Sequence, residues 1–159
     1  MFQKRSLSLV VLFIAGLLLT ACGGGAPSVD WTLSISGEVG TPIDVSYAVL
    51  AKMDHIDLKD VLMQKSLGED EVASWVGVPL ATLFEQAGVG DFSTVTATAG
   101  DGYAVEITSD ELEGAIVALK KDGDWITKVE PDKGPIRLVC PETPANRWVF
   151  QIQGIQVNP

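Results

Sequence analysis

The chain has 159 residues, 47% of them hydrophobic and 20% charged, a balance that excludes a disordered or fibrous protein. Sixteen Gly and eight Pro without a G-X-Y period exclude a collagen-like chain, and the length fits one domain rather than two. A formal net charge of −10 excludes a nucleic-acid-binding protein that works by neutralising phosphates.

The positive mean hydropathy, +0.26, comes from one end of the chain. Lys4 and Arg5 precede an apolar run from Leu7 to Leu19. That run is shorter than the roughly 20 helical residues a bilayer core requires, so it fits the h-region of an export signal. Leu19-Thr20-Ala21-Cys22 resembles the bacterial lipobox, in which the Cys receives diacylglycerol and becomes the new N-terminus. Residues 1–21 are therefore expected to be a lipoprotein signal peptide, 22–29 a lipidated Gly-rich tether, and 30–159 the folded domain. The absence of Asp directly after Cys22 resembles outer-membrane retention. The expectation is an exported bacterial lipoprotein, facing the periplasm from the outer membrane where the host has two membranes. Its partners would be the membrane, through the lipid on Cys22, and an unknown small molecule or envelope protein, with no nucleic acid. Cleavage would remove Lys4 and Arg5 from the 11 basic residues and none of the 21 acidic ones, taking the net charge from −10 to −12. With Cys22 acylated, Cys140 has no intramolecular disulfide partner and the fold stands on packing.

Along the mature chain, Trp31, Leu33 and Ile35 alternate with polar residues and predict a half-buried strand, followed by a short one at 43–45. Ser46 is placed to cap a short helix carrying Val49, Leu50 and Met53. Residues 56–63, rich in β-branched and aliphatic side chains, predict a strand, and Glu69-Asp70-Glu71 a solvated acidic turn. Trp75 to Leu80 reads as the lead-in to the clearest helix. Pro79 suits its first position, Leu80, Leu83, Phe84 and Ala87 fall at helical spacing, and Gly88 supplies a left-handed stop. A strand from Val95 reverses at Gly100-Asp101-Gly102 and returns over 103–107. Thr108-Ser109-Asp110-Glu111 has the form of a capping box for a short helix ending near Gly114. Asp122-Gly123 predicts a hairpin between 115–119 and 125–127. Ile136, Leu138 and Cys140 share a strand face. Trp148, Phe150 and Ile152 fall on even positions and Ile155 and Val157 on odd ones, which places a bulge at Gly154. Many short strands with two or three short helices predict a single mixed domain of the α+β class.

The stretch from Trp75-Val76-Gly77-Val78-Pro79-Leu80 to Ala87-Gly88 resembles the W-x-G-V-P-L…A-G segment of the sulfite-oxidase-type molybdopterin-binding domain family. Asp101-Gly102-Tyr103, Gly134-Pro135-Ile136-Arg137-Leu138-Val139 with Pro141, and Trp148…Ile152…Ile155-Gln156-Val157 follow in the family's order. The resemblance implies that family's fold and a pyranopterin–molybdenum cofactor completed by one protein cysteine thiolate. It places the thiolate after the strand at 56–63, where this chain has Gln64-Lys65-Ser66-Leu67-Gly68. No Cys lies between Cys22 and Cys140, and neither Lys65 nor Ser66 supplies the soft donor that molybdenum requires. The family's His- and Arg-rich N-terminal stretch is replaced by the Gly-rich tether. The reading is a fold retained without its catalysis, with no cofactor, no metal and no catalytic residue expected. Molybdopterin-dependent oxo-transfer with atypical metal coordination, or a structural accessory lipoprotein, are the alternatives.

The residues matched to the family's cofactor side are the candidate ligand-binding set: Lys65, Ser66, Asp101, Tyr103, Glu142, Asn146 and Arg147. Cys140 reads as a buried small hydrophobe rather than a reactive thiol. His55, with only Asp54 and Asp57 near it, reads as a surface histidine rather than a metal ligand. Lys133, Arg137 and Arg147 form either a local anion pocket or surface pairs with Glu130, Asp132 and Glu142. Asp122-Gly123-Asp124 reads as a turn rather than a calcium loop.

Overall fold

A computed structural model describes residues 25–159, and within them the apolar alternation resolves into two sheets that share one buried core. The first sheet contains β1 (Thr32–Gly37), β2 (Ile43–Ser46), β5 (Thr94–Ala99), β6 (Ala104–Thr108) and β11 (Ile152–Asn158) in the order β2-β1-β11-β5-β6. β1 and β11 are parallel and every other pairing in it is antiparallel. Leu33, Ile35, Val95 and Ala97 point into the core while their neighbours face out, the period-2 pattern of a half-buried sheet. The register of β11 on β5 shifts between Ile152 and Gly154, so Ile152, Ile155 and Val157 are all buried despite their change of parity. The bulge predicted at Gly154 is present.

The second sheet runs β10 (Val149–Phe150), β9 (Arg137–Val139), β7 (Ile116–Lys121), β4 (Glu71–Pro79), β3 (Ile56–Met63), with β8 (Asp124–Trp125) paired to β7. Asp122 and Gly123 both have positive φ, +50° and +89°, as a two-residue hairpin loop of the type that follows strand twist requires. Three short helices complete the domain: α1 (Tyr47–Leu50), α2 (Leu80–Ala87) and α3 (Ile126–Val129). Gly88 ends α2 in the left-handed conformation (φ +66°), and Leu80, Leu83, Phe84 and Ala87 are its buried face. No helix among the described residues is long and apolar enough to cross a membrane.

Four local expectations need correction. The segment leading to α2 is the nine-residue strand β4, which buries Ala73, Trp75 and Gly77 in alternation; Pro79 precedes the helix rather than beginning it. Glu71 is no solvated turn residue but the first residue of β4, bonded to Lys65 and Lys121. The capping box forms, with Thr108 N–H donating to Glu111 Oε2 (3.0 Å) and Glu111 N–H to Thr108 Oγ1 (3.4 Å), but it closes one 3-10 turn at Asp110–Leu112. Ser46 stands before α1 without a side-chain capping bond, and Val49 of that helix faces solvent.

Candidate functional site

The β5–β6 turn and the segment before β11 face each other across a cleft of about 340 Å³. One wall carries Ala99, Asp101 and Tyr103; the other carries Ala145, Trp148, Phe150 and Gln151, with Asp132 at the rim. The turn is held by its own chemistry. Asp101 Oδ1 accepts the Tyr103 backbone N–H at 2.9 Å, and Gly102 takes φ +89° to let the chain reverse. Gly100 admits the Trp31 ring, since a Cβ there would lie 2.7 Å from Cη2 of that indole. Trp31 donates from Nε1 to the Ile152 carbonyl at 2.8 Å and so pins the start of the domain beside the cleft. Opposite, Gln151 adopts a left-handed φ of +50° and its Nε2 donates to the Asp132 carbonyl at 3.2 Å. Trp148 donates to the Cys140 carbonyl at 2.8 Å and meets Trp75 edge-on at 5.8 Å. The Ala145 N–H donates to the Gln64 carbonyl at 2.8 Å, drawing the β3–β4 loop towards this wall.

Behind the cleft lies a buried charge network. Arg137 is fully buried, its guanidinium 3.9 Å from the centroid of Phe150 and 4.6 Å from that of Trp75. Nη2 donates to Glu130 Oε2 at 3.1 Å, whereas Nε and Nη1 have no partner among the described residues. Glu130 also receives Lys121 (3.1 Å) and Lys133 (3.2 Å), and Lys121 is shared with Glu71, which takes Lys65 at 2.9 Å on its other oxygen. Burial lowers Arg137 to about 10, which leaves it charged at neutral pH. Burial works against the Glu130 carboxylate, but Arg137, Lys121 and Lys133 outweigh it and hold that group below its ordinary range. The Lys121 and Lys65 hydrogen bonds hold Glu71 down at about 2.

A carboxylate whose folded pKa is depressed stabilises the fold above its unfolded value and loses that contribution as pH falls through the folded value. The Glu71 term is therefore complete above pH 4.5 and lost on the way to about pH 2. Acid titration followed by circular dichroism is expected to lose roughly 2–3 kcal/mol across that window, and Glu71→Gln should flatten the slope. An unchanged slope in Glu71→Gln would refute the assignment.

The candidate set is only partly convergent. Asp101 and Tyr103 share the cleft. Asn146 and Arg147 follow its Ala145 in a 3-10 turn, but Asn146 is exposed and Arg147 donates from Nε to Glu111 Oε1 at 2.9 Å. Glu142 lines a separate concavity with Leu58, Glu113, Gly114 and Pro141. Lys65 belongs to the charge network and Ser66 is exposed on its loop. Lys133, Arg137 and Arg147 do not make an anion pocket: Arg137 is interior, and Arg147 pairs with Glu111 rather than Glu142. His55 lies 2.9 Å from the Leu50 carbonyl, and among the described residues no three His, Cys, Asp or Glu side chains converge as metal ligands. Asp122 serves the hairpin, accepting the Ser74 N–H at 2.8 Å. Cys140 is buried, with its thiol pushed up to about 12 by desolvation. Cys22 lies outside the described residues.

Sequence reasoning missed Trp148, Phe150, Gln151 and Asp132 as cleft residues. The even positions of the first two predict one core face, but β10 buries Val149 and leaves Phe150 exposed, and nothing in the pattern marks the left-handed residue at 151 that follows them.

No curated protein matches this chain. Among solved structures it is similar to the sulfane dehydrogenase SoxCD from Paracoccus pantotrophus, with a TM-score of 0.72 and 19% identity. The match covers 84% of this chain and 40% of that one, so the likeness is one of fold over less than half of the larger chain. Residues 24–159 match the oxidoreductase molybdopterin binding domain, a span that includes every described residue. The two sheets, the Trp75–Gly88 segment that runs from β4 into α2 and this match over residues 24–159 together place the chain in the oxidoreductase molybdopterin binding domain family.

Proposed function

We propose that the protein is a lipid-anchored envelope protein in which the family's fold binds a small molecule or a partner protein and performs no oxo-transfer. The observation that carries this reading is the donor set. The loop after β3, where the family resemblance places a thiolate, offers Gln64, Lys65 and Ser66 and no sulfur. Cys140, the one cysteine among the described residues, is fully buried, and its thiol is held far above neutral pH by desolvation. A thiol in that state is not the anionic sulfur that a molybdenum centre takes as ligand. The residues present do not fit the thiolate-ligated cofactor.

The cleft supplies what binding needs instead: a concave, largely preformed site with aromatic walls and a few polar groups. Asp101 and Tyr103 are the members of the candidate set placed to act there. The anchoring half of the reading rests on Cys22 and its preceding small residues. The test is metal analysis by mass spectrometry of full-length protein expressed with its signal in a cofactor-competent bacterium. Molybdenum at background is the expected result, together with a diacylglycerol mass increment that Cys22→Ala abolishes. Molybdenum near one per chain would overturn the non-catalytic reading.

A further inference from the structure

We infer that the cleft recognises an organic cation, a protonated or quaternary amine carried on a compact apolar body. This deepens the proposed binding role and rests on it. Asp101 lies on one wall of the cleft and Asp132 at its rim, and neither lies within ion-pair distance of a Lys or Arg among the described residues. The neighbouring cations are already committed: Lys133, Lys121 and Arg137 converge on Glu130, and Arg147 is held by Glu111. One Asp101 oxygen is occupied by the Tyr103 N–H, which fixes the carboxylate in place and leaves its other oxygen free. The Asp132 carbonyl accepts from Gln151 Nε2, which ties that backbone to the wall opposite Asp101.

The remaining surface is apolar and aromatic. Tyr103 is half exposed and offers a ring face, on which a cation is attracted by the quadrupole. Phe150 already carries Arg137 at 3.9 Å and Lys133 at 5.4 Å, so with Trp148 it serves as the wall for the ligand's apolar body. A volume of about 340 Å³ suits a small amine. An anionic ligand would meet two unneutralised carboxylates in a domain of strong negative charge. Two sources share this chemistry, a free amine and an amine-bearing lipid headgroup.

The experiment is calorimetric titration of full-length protein in detergent with benzyltrimethylammonium, benzyl alcohol and phenylmethanesulfonate. The expected result is binding of the cation about tenfold or more tighter than of the alcohol, no binding of the sulfonate, and weakening as salt is raised. Asp101→Asn and Asp132→Asn are each expected to weaken the cation about threefold to tenfold with an unchanged melting temperature, as both side chains are exposed. Competition by phosphatidylcholine vesicles would support the inference with the headgroup as source; undiminished binding in their presence would support it with the free amine. Sulfonate binding equal to or tighter than that of the cation, and lost in Tyr103→Ala, would overturn the cation class while leaving the cleft a binding site. Binding of neither charged probe would overturn the inference, and the molybdenum content separately decides the non-catalytic reading.

Discussion

Replacing Glu130 by glutamine is expected to lower the unfolding free energy by about 3–5 kcal/mol, the usual cost of leaving a buried charge without its partner. Arg137 is fully enclosed between Trp75 and Phe150, and two of its three guanidinium nitrogens already lack partners among the described residues. Its one hydrogen-bonded anion is Glu130, whose carboxylate also collects Lys121 and Lys133. Glutamine keeps the shape and removes the charge, so three cations lose one counter-ion together. Urea unfolding of the two proteins measures the difference. The double change Glu130→Gln with Arg137→Met should recover most of it, because an apolar side chain between two aromatic rings needs no counter-charge. A single-variant loss below about 1 kcal/mol would mean that the guanidinium is solvated by other means.

That network also shows why the sequence discloses the fold better than the interior chemistry. Period-2 alternation reports one face of a strand, and it identified β1 and β11 together with the bulge at Gly154, while aliphatic content marked β3 and the Gly100-Asp101-Gly102 turn marked the end of β5. It also reports that Arg137, between Ile136 and Leu138, faces away from the Ile136–Leu138–Cys140 face. In a half-buried strand that face meets water, but β9 is covered on both sides and all three of its residues are buried. No local pattern distinguishes the two situations. Glu71 was hidden likewise: in the sequence it closes an acidic triplet, while in the fold its partner Lys121 lies 50 positions away. β4 escaped notice because its alternation of Ala73, Trp75 and Gly77 uses a small residue and a glycine, which carry little hydrophobic signal. Half the cleft was legible because the Gly100-Asp101-Gly102 turn is local. The other half depends on a left-handed Gln151 and on Asp132 brought over by the α3 connection, both consequences of tertiary packing.

Gly77 in the Trp-x-Gly stretch of β4 gives the second large effect. Gly77→Ala is expected to cost about 3 kcal/mol or more, at the upper end of overpacking penalties. A Cβ at this position would lie 2.1 Å from the Val117 carbonyl oxygen and 2.6 Å from the Ala118 Cα. Both are backbone atoms of the paired strand β7, so no side-chain rotation relieves the contact. The register of β4 on β7 shifts between Val76 and Gly77, and the missing side chain is what lets the strands approach there. Forcing them apart would displace β7 and, through it, β9 with Arg137. It would also tilt Trp75, which packs on that guanidinium and on the cleft residue Trp148. Gly90→Ala is the internal comparison, since a Cβ there meets nothing within 4 Å. It should change stability by no more than about 0.5–1 kcal/mol, with a gain through the unfolded chain as the expected sign. Equal stability of the two variants in urea unfolding would refute the close approach of β4 and β7; a Gly77→Ala protein that unfolds early and loses Trp75 and Trp148 fluorescence shifts together would bear it out.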